Sequence, residues 1–130
     1  MHCRIDPHSH VPPSQQLVDA VLDEIASGAR VPGEALPSVR VLAAQVLVNP
    51  NTVARAYRDL QQLGVAEGRN GSGVFVTDAG PQRARARRQA ETLAAFRAAR
   101  DAALRAGHDA RVLADEVERA HGTQPAGGRR

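Results

Sequence analysis

Between residues 37 and 63 the chain reads PSVRVLAAQVLVNPNTVARAYRDLQQL, with helix-start signals at positions 38 and 49. Ser38 can cap one helix, and Pro37 disfavours helix before it. Asn49 can cap a second, and Pro50 suits the first helical position, where a missing N–H costs nothing. Two starts this close leave room for one short helix and a tight turn at Leu47 and Val48. Val39, Leu42, Ala43 and Val46 supply a buried side for the first helix, and Val53, Ala56, Tyr57, Leu60 and Leu63 recur at helical spacing in the second. The stretch therefore reads as a helix-turn-helix, with 50 to 63 as its second helix.

The flanking residues complete a small domain. Leu17, Val18, Val21, Leu22 and Ile25 give a helix from about Ser14 to Ser27, which Gly28 can stop. Val31, Pro32 and Gly33 turn the chain, and Leu36 anchors it before the next helix. After Leu63, Gly64 is the expected end of the second helix of the motif. Val65 to Glu67 and Val74 to Thr77 read as two short strands joined by Gly68, Arg69, Asn70, Gly71, Ser72 and Gly73. These glycines are not a nucleotide cradle, because no lysine and no strand-to-helix arrangement accompany them. The expected fold is mainly α with a small β-hairpin wing. Its parts are an extended leader at 1–13, a winged helix-turn-helix at 14–78, a two-helix region at 79–121 and a disordered tail at 122–130.

Residues Val31 to Val76, with PGEALPSVRVLAAQVLVNPNTVARAYRDLQQLGV followed by GRNGSGVFV, resemble the amino-terminal winged helix-turn-helix of GntR-type bacterial transcription regulators. The spacing of PG, LPS, R, LA, VNPNTV, AY, L, G and the G-x-G wing carries the resemblance over about half the chain. It implies a double-stranded DNA operator as partner. Leu47 departs from the commonest family pattern, which has glycine there, and implies a different turn geometry or some strain. Ser14 stands where the family often has an aromatic residue.

The candidate DNA-contacting residues are Ser38, Arg40, Asn49, Asn51, Thr52, Arg55, Arg58, Arg69, Gly71 and Gly73. Asn51, Thr52 and Arg55 are side chains that can read base edges or hold phosphates, and they occupy the leading end of a helix. Arg40 is assigned through the family's P-S-x-R motif, the alternative being a surface ion pair with Glu34 or Asp59. Glycines at 71 and 73 let the backbone approach a phosphate chain, and Arg69 can line the minor groove.

Net charge does not decide the matter. Residues 1–80 hold 6 Arg and 8 acids, a balance of −2, whereas 81–130 hold 11 Arg and 6 acids, a balance of +5. DNA binding must rest on where particular arginines point. The scarcity of aromatics, 1 Tyr, 2 Phe and no Trp, argues against stacking platforms for single strands. A single cysteine, Cys3, excludes an intramolecular disulfide framework. His2, His8, His10 and Cys3 are plausible metal ligands at irregular spacing, and they read as solvated leader residues, so no metal or cofactor is assigned. No stretch suits a membrane span or a signal peptide, and a cytoplasmic protein is expected. An enzyme is not expected, since no nucleophile, base and orienter assemble from motifs. The alternative to a DNA-binding regulator is a winged-helix module that binds protein.

From Gln82 to Arg105 the chain is rich in Ala and Arg, and Leu93, Phe96, Ala99, Ala103 and Leu104 suggest an apolar face. Gly107 breaks this helix, Asp109 can cap another, and Val112, Leu113, Val117 and Ala120 continue it to about His121. Two such helices cannot enclose a core, and the economical partner is the same pair from a second subunit. Leu93, Phe96, Leu104, Val112, Leu113 and Val117 are the candidate dimerisation residues. A tail this short resembles the YtrA-type short members of the family, whose helical tail dimerises and which typically act as repressors. That implies a homodimer on an inverted repeat; an effector is not marked by any polar cluster. Arg83, Arg85, Arg87 and Arg88 leave two readings open, added nucleic-acid affinity or a solvated helix start.

Overall fold

The computed structural model describes residues 3–122. In order, its elements are α1 (Pro13–Ser27), α2 (Val39–Val46), α3 (Pro50–Gln62), β1 (Ala66–Arg69), β2 (Gly73–Val76), α4 (Gly80–Arg105) and α5 (Ala110–Gly122). They form two compact units, Met1–Ala90 and Glu91–Arg130. The expected disordered tail lies, from 123 onward, outside the described residues.

In the first unit, α1 and α2 both pack on α3. Leu17, Val21, Leu22 and Ile25 of α1, Leu42 of α2, and Val53, Ala56 and Leu60 of α3 are fully excluded from solvent. Val65, Ala66 and Val76 carry the core into the hairpin, and Ala84 of α4 closes it. This is a core of branched aliphatics and alanine with a single tyrosine. Side chains of that size allow the helices to lie close, and the small domain depends on that density.

The start signals work as read. Asn49 Oδ1 accepts from the Asn51 amide at 2.8 Å, and Ser38 Oγ accepts from the Val41 amide at 3.2 Å. The turn between them keeps the geometry a glycine would have given. Leu47 sits at φ 60°, ψ 50°, the one non-glycine residue with positive φ among those described. The amides of Leu47 and Val48 both donate to the Ala43 carbonyl, which ends α2 in the manner of a Schellman cap. Of the two outcomes expected from a leucine here, the molecule takes strain and leaves the turn unaltered.

The hairpin is longer than its sequence suggested. Ala66 pairs with Val76, Glu67 with Phe75, Gly68 with Val74 and Arg69 with Gly73, so only Asn70, Gly71 and Ser72 form the tip. Two glycines that read as loop are strand residues. A third segment also joins the sheet: the Leu36 amide donates to the Val74 carbonyl at 2.8 Å, Val76 to Glu34 at 2.9 Å, and Gly33 to Val76 at 2.8 Å. The chain leading into α2 thus forms the second edge of β2.

In the second unit the helix break falls as the sequence indicated. Gly107 adopts φ 103°, its amide and that of His108 turn back on the end of α4, and Asp109 Oδ1 accepts from the Arg111 amide at 2.7 Å to start α5. α4 begins two residues earlier than expected, at Gly80, which is buried against Val76 and the Val65 carbonyl.

Candidate nucleic-acid interface

α3 is built with two opposite faces. Val53, Ala56, Tyr57 and Leu60 point into the core. Asn51, Arg55 and Arg58 follow one another at i, i+4 and i+7, which places them in one stripe on the far side, and all three are exposed. Thr52, half-buried, lies beside that stripe. A depression of about 260 Å³ is lined by Asn51, Thr52 and Arg55 together with Pro13 and Ser14. The three polar residues singled out in the sequence are therefore brought together, and the start of α1 flanks them.

The orientation of α3 has a support the sequence did not reveal. Tyr57, although part of the apolar stripe, donates its hydroxyl to the Pro37 carbonyl at 2.6 Å. This ties the middle of α3 to the residue just before the α2 cap. Burial pushes the phenol up to about 12 from its ordinary 10.0, against a smaller opposing pull from Arg30, so the donor keeps its proton throughout the neutral range. The stripe's spacing was legible; the partner of its hydroxyl was not, because a backbone carbonyl twenty residues away has no signature in composition.

Arg40, Arg55 and Arg58 are exposed, and none makes a hydrogen bond or ion pair with another described residue. The alternative reading of Arg40, an ion pair with Glu34 or Asp59, is not what forms: Glu34 is engaged by Arg30 at 3.5 Å. The acids that give residues 1–80 their negative balance are largely answered elsewhere. Arg30 holds Glu24 at 2.6 Å, and Arg88 holds Asp23 at 2.7 Å and Asp19 at 3.6 Å. The acids of α1 are thus compensated, whereas Arg40 of α2, Arg55 and Arg58 of α3, and the α3 carboxylate Asp59, have no ion-pair partner among the described residues.

The wing presents a different arrangement. The Arg69 guanidinium lies 4.3 Å from the centre of the Phe75 ring and 3.6 Å from Glu67. It is held against the hairpin by its own neighbours, a cation–π contact and a half-exposed ion pair. Gly71 and Gly73 have φ of 70° and 109°, and space beyond both is open. Ser38 and Asn49 spend their side-chain oxygens on the helix caps, which leaves their remaining polar capacity for any ligand.

In the Arg83–Arg88 cluster, Arg83, Arg85 and Arg87 are exposed and Arg88 is half-buried. Arg85 donates to the Ala26 carbonyl at the end of α1 at 3.2 Å, Arg88 engages Asp19 and Asp23, and the Arg83 side chain packs over Gly64. Three of the four arginines dock the first turns of α4 onto the winged domain. Cys3 is half-buried, and burial together with the nearby Glu24 pushes its thiol up, which disfavours the thiolate. Among the described residues no three metal-ligating side chains converge, and no helix is long and apolar enough to cross a membrane.

In the second unit, Phe96, Leu104, Leu113 and Val117 line an apolar groove of about 200 Å³ with Arg100, Ala110 and Ala114. Leu93 and Val112 lie outside it, and both are about half exposed.

Comparison with known proteins agrees with this geometry. The family profile described as "Bacterial regulatory proteins, gntR family" matches residues 13–76. The HTH-type transcriptional repressor YtrA of Bacillus subtilis is 37% identical over 75 residues, 58% of this chain and 58% of that protein. The chain thus spans rather less than two thirds of that relative. Among solved structures, a transcriptional regulator from Oenococcus oeni is 28% identical with a TM-score of 0.68, over 89% of this chain and 96% of that one. AraR(DBD) in complex with operator ORX1 is 27% identical with a TM-score of 0.52, over 56% of this chain and 90% of that one. YtrA from Sulfolobus acidocaldarius, a GntR-family transcription factor, is 34% identical with a TM-score of 0.56, over 59% of this chain and 81% of that one. With helix-turn-helix, hairpin wing and sequence in accord over residues 13–76, the chain belongs to the GntR family of bacterial regulatory proteins.

Proposed function

We propose that the protein is a sequence-specific DNA-binding transcriptional regulator that acts as a homodimer on an inverted-repeat operator and represses. The observation that carries this reading is the stripe of Asn51, Arg55 and Arg58 that runs from the leading end of α3, exposed and, in the case of both arginines, without a partner among the described residues. A helix whose apolar side is wholly buried and whose outer side offers an amide and two free guanidinium groups is suited to the major groove. Thr52 and Arg40 extend the contact, and the wing adds Arg69, Gly71 and Gly73 at the neighbouring backbone or minor groove. AraR(DBD), which shares the fold, is solved with an operator. The unpartnered groove of α4 and α5 supports pairing through a second copy, with Leu93 and Val112 as flanking contacts. The match along nearly the whole Oenococcus oeni chain supports a short regulator of the YtrA type.

The test is a footprint of the full chain on the promoter region of its own gene, beside the Arg40→Ala, Arg55→Ala double variant. A protected inverted repeat that the variant fails to protect is the expected result. Equal protection by both proteins removes the assignment of these residues.

A further inference from the structure

Residues 3–11 are pinned to the winged domain with one guanidinium, that of Arg4, exposed. Cys3 and Ile5 pack against the core, while Arg4 between them is exposed. Gln16 of α1 latches the segment: its Oε1 accepts from the Asp6 amide at 2.8 Å, and its Nε2 donates to the carbonyls of Asp6 at 2.9 Å and Val11 at 2.8 Å. Asp6 Oδ1 in turn accepts from the His8 amide at 2.9 Å, fixing the turn that follows. Arg4 lines a broad cleft of about 910 Å³ whose other wall is Leu47, Val48, Asn49 and Thr52, the turn and first residues of α3. Among the described residues Arg4 has no hydrogen-bond or ion-pair partner, although Asp19 and Asp23 line a neighbouring depression with it.

We propose that Arg4 is a phosphate clamp, contacting the DNA backbone beside the point where α3 enters the major groove, and that Gln16 is its positioning residue. The proposal rests on the DNA-binding reading and adds to it a contact from outside the helix-turn-helix. A guanidinium suits a phosphate because it offers several donors in a fixed fork and keeps its charge at any working pH. The cost of ordering the segment's backbone is already met by the Gln16 latch and the seating of Cys3 and Ile5, so only the Arg4 side chain is left to be fixed on binding. Asp19 and Asp23 are both engaged by Arg88, which weakens their pull on Arg4. A phosphate contact carries no sequence information, so Arg4 contributes to affinity for every duplex and fixes register.

The experiment measures binding of the full chain to two duplexes, one selected by the wild-type protein from a random pool and one of mixed sequence, across a range of salt. For Arg4→Ala the expected result is a slope of log K against log salt smaller by about one on both duplexes, with an unchanged melting temperature. Gln16→Ala weakens binding when Arg4 is present and adds nothing in the Arg4→Ala background, which separates positioning from a general loss of stability. An unchanged slope in Arg4→Ala beside normal wild-type binding overturns the clamp and leaves the DNA-binding reading intact. Wild-type protein that shows no salt-dependent binding to either duplex overturns both.

Discussion

Leu47 occupies a left-handed conformation with its side chain 88% exposed, so it bears the steric cost of positive φ without recovering it through burial. Leu47→Gly is expected to stabilise the fold by roughly 0.5–1 kcal/mol, the relief of strain exceeding the added freedom of the unfolded chain, as read from a urea midpoint shift at constant m-value. Tyr57 makes the opposite case. Its folded-state pKa of about 12 lies above the ordinary 10.0, so folding favours the protonated phenol. Stability from this source is complete below the unfolded pKa and is lost as pH rises from about 10 towards 12. The chain has no lysine, and Tyr57 is its one tyrosine, so few other groups titrate in that window. Tyr57→Phe should cost about 1–2 kcal/mol at pH 8 by orphaning the Pro37 carbonyl, and should flatten the alkaline fall in melting temperature. A fall that persists unchanged in the variant assigns it to something other than the phenol.

The proposed recognition element, α3, owes its presentation to its neighbours. Arg55→Ala should weaken binding to the selected operator by roughly 1–3 kcal/mol if the guanidinium meets a base edge, with a much smaller change on unrelated duplexes. Equal loss on all sequences makes it a phosphate contact. α3 was also the most legible part of the chain, since caps, Pro50 and a 3.6-residue apolar stripe are local signals that one stretch of sequence contains. The edge pairing of residues 33–36 with β2 was not legible, because ladder bonds involve backbone groups that every residue carries. The docking of α4 was hidden for a related reason: an arginine run announces charge, and only folding shows that Asp19, Asp23 and the end of α1 lie opposite. Arg88, with its side chain 22% exposed and two carboxylates around it, is expected to contribute about 1 kcal/mol, diminishing with added salt. Thermal melts of Arg88→Ala at low and high ionic strength check this, the gap from wild type closing at high salt.

For the molecule as a whole, the proposed function joins two reading heads on one operator, and the apolar groove of the second unit is the proposed joint. Phe96→Glu, together with Val117→Glu, should give monomers in sedimentation experiments and weaken operator binding by about 10²-fold, since the second half-site is then bound without the benefit of tethering. A dimer of undiminished stability in this variant moves the joint elsewhere. The three-stranded arrangement around β2 has its own consequence, in time and not in space. The amides of Leu36 and Val76 are bonded across the edge that β2 shares with residues 33–36 and lie under side chains that are 6% and 1% exposed. They should exchange their hydrogens for deuterium only when the whole winged domain opens, whereas those of Asn70 and Gly71 at the exposed tip should exchange within the dead time of the measurement. The wing is then a stalk that keeps the clock of the core and a fingertip of three residues that keeps the clock of the solvent, so rapid adjustment of its shape falls to the tip alone.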